Sequence, residues 1–140
     1  MDRVEDTIGF LMGRVIRVHR QFADDALKPL GLHVGQEIVL LKLCAEEGLT
    51  QSVLAQRLEV EPPTMTIMLN RMERAGLIER RPCLQDARVS LVYLTARGRS
   101  LELPVREVLR QLEERTLQGL SLTEQALLRR MLIEIRANFP

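Results

Sequence analysis

A mainly α-helical chain with one small β-hairpin is what the sequence predicts, and three observations predict it. Apolar residues recur at helical spacing through most of the 140 residues. The period shortens to that of strands only between Leu77 and Leu94. The segment boundaries carry helix caps, Pro and Gly. With 46% hydrophobic and 28% charged residues, the composition is that of a globular chain that buries a core, and the length suits a single domain.

The elements follow in order. Ile8, Leu11, Met12, Val15, Ile16, Val18, Phe22, Ala26 and Leu27 predict a first helix over 4–28, roughly 36 Å long at 1.5 Å per residue. Pro29 and Gly31 end it. A second helix, Val34 to Glu46, is apolar on most sides through Ile38, Val39, Leu41, Leu43 and Ala45, which places it in the middle of a core. Gly48 breaks it, and Thr50 is placed to cap a short helix from Gln51 to Leu58. Glu59 to Glu61 form a tight turn. Pro62 and Pro63 then open a fourth helix, running to Ala75, where early N–H groups lack intrahelical partners. Met65, Met68, Leu69 and Met72 share one of its faces, while Thr64, Thr66, Asn70, Arg71 and Arg74 fall largely on others. Gly76 stops it. Leu77–Arg81 and Val89–Leu94 read as the two strands of a hairpin around the turn-rich segment Pro82 to Ala87. Thr95 caps a helix to about Leu117, with a kink or restart expected at Pro104. Ser121 and Glu124 match a capping box for a last helix to Asn138.

Composition also excludes. Only Phe10, Phe22, Tyr93 and Phe139 are aromatic, which leaves little for platforms that stack single-stranded bases. The net charge is +1, so any nucleic-acid binding must come from a local patch. All cations but Lys28 and Lys42 are arginine, whose planar fork suits phosphate and base edges, although codon bias explains that preference equally well. Two cysteines, Cys44 and Cys83, do not make a disulfide scaffold and fit a reducing cytoplasm. Two histidines, His19 and His33, and two cysteines spread along the chain do not make a metal site. No apolar run approaches a membrane span, and no secretory signal opens the chain. No Gly-rich phosphate loop, nucleophile elbow or pair of catalytic carboxylates argues for an enzyme, and no cofactor is expected.

A short helix, a tight turn, a second helix with polar residues near its start and then a hairpin is the order of a winged helix-turn-helix. In that arrangement the second helix of the pair enters the major groove, about 12 Å wide, and the hairpin, a wing, reaches an adjacent minor groove with an Arg. The terminal segments add their own observation. Leu101, Leu103, Val105, Val108, Leu109, Leu112 and Leu117, followed by Leu120, Leu122, Ala126, Leu127, Leu128, Met131, Leu132, Ile133 and Ile135, carry more apolar surface than one small winged domain covers.

Particular runs of residues carry a closer resemblance. They are Gly31-Leu32, Leu49-Thr50-Gln51-Ser52-Val53-Leu54-Ala55, Pro63-Thr64-Met65-Thr66, Arg71-Met72-Glu73-Arg74-Ala75-Gly76-Leu77-Ile78-Glu79-Arg80, Asp86-Ala87-Arg88 and Leu94-Thr95-Ala96-Arg97-Gly98-Arg99. Between Leu30 and Arg99 the sequence therefore resembles the MarR family of bacterial transcriptional regulators. The resemblance implies a homodimer on a pseudo-palindromic operator in double-stranded DNA. Residues 30–99 would form the winged helix-turn-helix, and 1–29 and 100–140 the helical dimerisation region, the whole chain being one domain.

It also implies site residues. Arg88 matches the wing arginine, with Asp86 placed to hold its guanidinium. Thr64, Thr66, Asn70 and Arg71 match the exposed face of the recognition helix, and Pro62 its base-approaching start. Ile67 departs from the polar residue common in relatives; it either touches a thymine methyl or turns into the core. Gln51 and Ser52 open the first helix of the motif, where a phosphate is favoured, and Arg74, Arg80 and Arg81 would attract phosphates. A small phenolic or other aromatic acid is the expected effector, in a cleft lined from Met12, Ile16, His19 and Phe22. Cys83, beside Arg80 and Arg81, is a candidate redox switch, because neighbouring cations lower a thiol's pKa. A winged helix that scaffolds a protein partner instead of reading DNA is the competing function.

Overall fold

The computed structural model describes residues 3–140. A short 3-10 turn, Val4–Asp6, precedes α1 (Ile8–Leu27). The expected helix from residue 4 thus starts four residues later, because the Thr7 hydroxyl accepts from the Phe10 N–H at 3.1 Å and fixes the cap there. A second 3-10 turn over Lys28–Leu30 ends at Gly31, in the left-handed region with φ 74°. α2 (Gln36–Ala45) begins two residues later than expected, since Gly35 has φ 104°, outside the helical range.

The helix-turn-helix pair is α3 (Gln51–Arg57) and α4 (Pro62–Arg74). Thr50 caps α3, accepting from the Val53 N–H at 3.2 Å. The turn between the helices holds Glu59 with φ 53°. The hairpin is β2 (Ile78–Pro82) and β3 (Ser90–Leu94), antiparallel with Arg80 opposite Val92. A third strand, β1 (Leu49–Thr50), was not apparent in the sequence. It lies on the other side of β3 with Leu49 opposite Val92, giving the order β1-β3-β2. Two residues, the second of them the cap of α3, are too few to show alternation.

The long helix expected from Thr95 to Leu117 is two helices, α5 (Ala96–Ser100) and α6 (Glu102–Leu117). The break falls at Leu101, ahead of Pro104. That proline sits third in α6, where its missing N–H has no intrahelical partner to lose. α7 (Leu122–Ala137) opens with the expected Ser121–Glu124 capping box.

Leu27, Val39, Leu40, Leu43, Leu54, Met65, Leu69, Met72, Ile78, Val92 and Val105 are fully buried in one core. That core unites the winged segment with the end of α1 and the start of α6. Beyond it the helices are bare: α7 buries no residue and α1 only Ala23 and Leu27. Ile8, Val15, Ile16, Leu127, Met131, Leu132 and Ile133 stand exposed. The end of α7 is tied back to the α3–α4 turn by a two-pronged ion pair, in which Arg136 donates to both carboxylate oxygens of Glu59 at 2.6 and 3.4 Å. Among the described residues, no helix is long and apolar enough to cross a membrane.

Candidate nucleic-acid interface

α4 is amphipathic, and its two faces divide the labour. Met65, Leu69 and Met72 are buried and lock the helix onto the core. Pro62, Thr64, Ile67, Asn70, Arg71 and Arg74 are exposed on the other side. Ile67 is thus on the outer face and not in the core. Arg71 and Arg74 have no carboxylate partner among the described residues; the Arg74 Nε reaches only the Asn70 carbonyl, at 3.4 Å. They are the uncommitted cations of this face.

A polar network fixes α4 against α3 and the wing. The Gln51 amide donates to the Thr66 hydroxyl, which donates in turn to the Pro62 carbonyl at 3.0 Å. The Gln51 amide oxygen accepts from Arg80 Nη2 at 3.4 Å, and Arg80 Nη1 donates to Glu73 at 3.0 Å. Thr66 and Arg80, expected to face DNA, are therefore half-buried and occupied inside the protein. Glu73 enters the site as an anchor that sequence reasoning did not single out. Its partner lies seven residues on, across a turn and into a strand, where helical spacing gives no signal. Ser52, by contrast, is exposed at the start of α3 as expected.

At the wing, the Arg88 guanidinium forms a fork on Asp86, Nε to Oδ1 at 3.0 Å and Nη2 to Oδ2 at 3.1 Å. The Arg88 N–H also donates to Oδ1 at 3.0 Å, so one carboxylate shapes the turn and aims the side chain. These bonds hold the Asp86 carboxyl below its ordinary pKa. The Arg88 side chain remains 90% exposed, presented outward from the loop. Arg81 is engaged differently, paired with Glu79 and stacked 4.1 Å from the Tyr93 ring centre. Cys83 donates to the Gln85 amide oxygen at 3.0 Å. Both arginines that prompted its redox reading are turned to carboxylates of their own.

Of the residues expected to meet an effector, His19 and Phe22 line one open cleft of about 380 Å³ between α1 and α6, with Val15, Val18, Leu112, Arg115 and Thr116. Met12 and Ile16 are not among its walls.

Comparison with known proteins bears on this geometry. The model of the MarR family matches residues 35–90, which span α2, the α3–α4 pair and the wing loop. The HTH-type transcriptional repressor Mb2911 of Mycobacterium bovis is 34% identical over 125 residues, covering 89% of this chain and 90% of the relative. The chain belongs to the MarR family. The S. aureus MepR–DNA complex superposes with a TM-score of 0.90 at 27% identity, covering 95% of this chain and 98% of that one. A mutant MarR of E. coli complexed with operator DNA gives 0.86 at 26% identity, covering 96% and 99%. This MarR-family protein is a transcriptional regulator, with the winged fold that its sequence led us to expect.

Proposed function

We propose that this MarR-family chain is a homodimeric repressor that reads a pseudo-palindromic operator in double-stranded DNA and is controlled by a small aromatic acid. One observation carries the reading: the exposed face of α4 and the Asp86-held Arg88 are both presented outward, one from the helix-turn-helix and one from its wing. The helix suits the wide groove and the arginine the narrow one beside it. Residues 30–99 supply the reading head. Residues 1–29 and 100–140 supply the dimer contacts, although Leu27 and Val105 also complete the head's core. The bare apolar surfaces of α1 and α7 support dimerisation, since a patch of that extent is covered by a partner in most proteins that carry one. Repression is supported by the names of the curated relatives. Two-fold symmetry sets half-sites about one DNA turn apart, roughly 34–36 Å, or a multiple of it.

The effector reading rests on the α1–α6 cleft. His19 and Arg115 can meet a carboxylate or phenol there, and Phe22 and Leu112 an aromatic ring. Its location between a dimer helix and the head's supporting helix lets a ligand favour one spacing of the two recognition helices over another, as control requires.

Selection of bound duplexes from random DNA tests the proposal, with light scattering for the oligomeric state. The expected result is a dimer that recovers a two-fold site. Arg88→Glu is expected to lower affinity for that site at least about tenfold; unchanged affinity rejects the wing assignment. A monomer, or a protein that retains no duplex at low ionic strength, rejects the whole reading.

A further inference from the structure

The outer face of α4 has an apolar centre. Ile67 is 54% exposed. At 3.6 residues per turn it lies on the side of the helix opposite Met65, Leu69 and Met72, which hold α4 to the core. Thr64, Asn70 and Arg71, at three and four positions away, flank it and are also exposed. The neighbouring hydroxyl of Thr66 is occupied by Gln51 and the Pro62 carbonyl. The side chain at the centre of this face therefore has neither a donor nor an acceptor.

That chemistry restricts what it can meet. In the major groove, guanine and adenine present acceptors and an amine, and cytosine presents an amine; an isoleucine set against any of these would leave them dry and unpaired. Thymine alone presents an apolar group, its C5-methyl. We infer that Ile67 is a specificity-determining residue that packs on a thymine methyl in each half-site, with Asn70 and Arg71 reading or gripping the polar surroundings. The inference rests on the proposal that α4 enters the major groove.

Replacing thymine with deoxyuridine removes the methyl and leaves the hydrogen-bonding edge unchanged, so it probes this contact with the native protein. Duplexes recovered by selection are resynthesised with deoxyuridine at each invariant thymine in turn. Withdrawing one methyl from an apolar contact is expected to raise Kd about fourfold at one position per half-site, and about fifteenfold when both symmetric thymines are changed. Ile67→Ala is expected to bind thymine and deoxyuridine duplexes equally. Its fold is at little risk, because the side chain is outside the core; the melting temperature verifies this. A selected half-site without an invariant thymine overturns the inference, as does wild-type protein that ignores deoxyuridine at every position or Ile67→Ala that still distinguishes the two bases. Protein that retains no duplex at all fails the groove reading itself, a separate outcome.

Discussion

Gly98→Ala is the substitution whose consequence the geometry sets most sharply. Gly98 is buried in α5, at the G of Leu94-Thr95-Ala96-Arg97-Gly98-Arg99. A methyl added there would lie 2.1 Å from the Leu77 carbonyl oxygen and 3.1 Å from its carbon. That carbonyl has little freedom to withdraw, because it already accepts from the Thr95 N–H at 3.0 Å. Thr95 is held in its turn: its hydroxyl donates to the Gly76 carbonyl at 2.6 Å and accepts from the Gly98 N–H at 3.0 Å. A shift of about 1 Å is needed to restore normal contact, and it must be shared between α5 and the chain entering β2. Overpacking of this kind costs about 1–3 kcal/mol. At a chain length between the ranges for small and mid-sized domains, that corresponds to a drop of roughly 3–12 °C in melting temperature. The assay is thermal denaturation of variant and wild type at equal protomer concentration, followed by operator binding at about 20 °C below the lower midpoint, where both chains are folded. Binding is expected to weaken even in folded protein, because the displaced strand carries the wing. A variant that melts within about 1 °C of wild type, well inside the expected drop, and binds DNA equally would refute the claim that this junction is rigid.

Two further outcomes follow from the same reasoning. Glu37 is buried, and burial raises its carboxyl pKa despite the bond it accepts from the Gly35 N–H at 2.7 Å. Between the ordinary glutamate value and the raised one, the folded chain holds a proton that the unfolded chain has released, so stability falls as pH rises through that window. Glu37→Gln keeps an acceptor for Gly35 and is expected to flatten that slope in urea midpoints measured from about pH 4 to 7; an unchanged slope would remove Glu37 from the account. Arg74 and Arg80 should separate by salt dependence. Arg74→Ala removes a cation with no internal partner and is expected to reduce the slope of log Kd against log salt by about 1 for each phosphate that the guanidinium neutralises. Arg80→Met, losing an internal brace, should weaken binding with the slope retained, and equal slope changes would show that Arg80 also grips phosphate.

What the sequence made legible was periodicity and punctuation. The core face of α4, the caps at Thr50, Thr95 and Ser121, and the Asp86–Arg88 pair are local features, each defined within a few residues, and the structure has them where local rules put them. What it hid depends on contacts between distant segments. β1 exists only because Leu49 and Thr50 meet β3 some forty positions later. The break at Leu101 arises where α5 must turn after packing on Leu77, and Pro104, the visible signal, merely tolerates the new start. Thr66 and Arg80 have the residue types of DNA contacts. Their roles inside the protein were decided by Gln51 and Glu73, which lie 15 and 7 positions away and on different elements.

The near-neutral charge of the chain acquires a physical meaning from this pairing. Arg80, Arg81 and Arg88 each face a carboxylate, whereas Arg71 and Arg74 on α4 face none among the described residues. Two cations without a carboxylate partner among the described residues thus lie on the outer face of α4, while the wing arginines are held in fixed orientations by their carboxylates. If α4 and the wing face DNA as proposed, Arg80, Arg81 and Arg88 are already paired there and only Arg71 and Arg74 are not, which limits the gain from counterion release at arbitrary sequence. Under the proposed reading, preference for an operator would then come from how well the groove fits α4 and how readily the duplex admits Arg88. In the proposed dimer, such a surface would lose less affinity to non-specific DNA, and a small change in the spacing of the two heads would be enough to release it from the site.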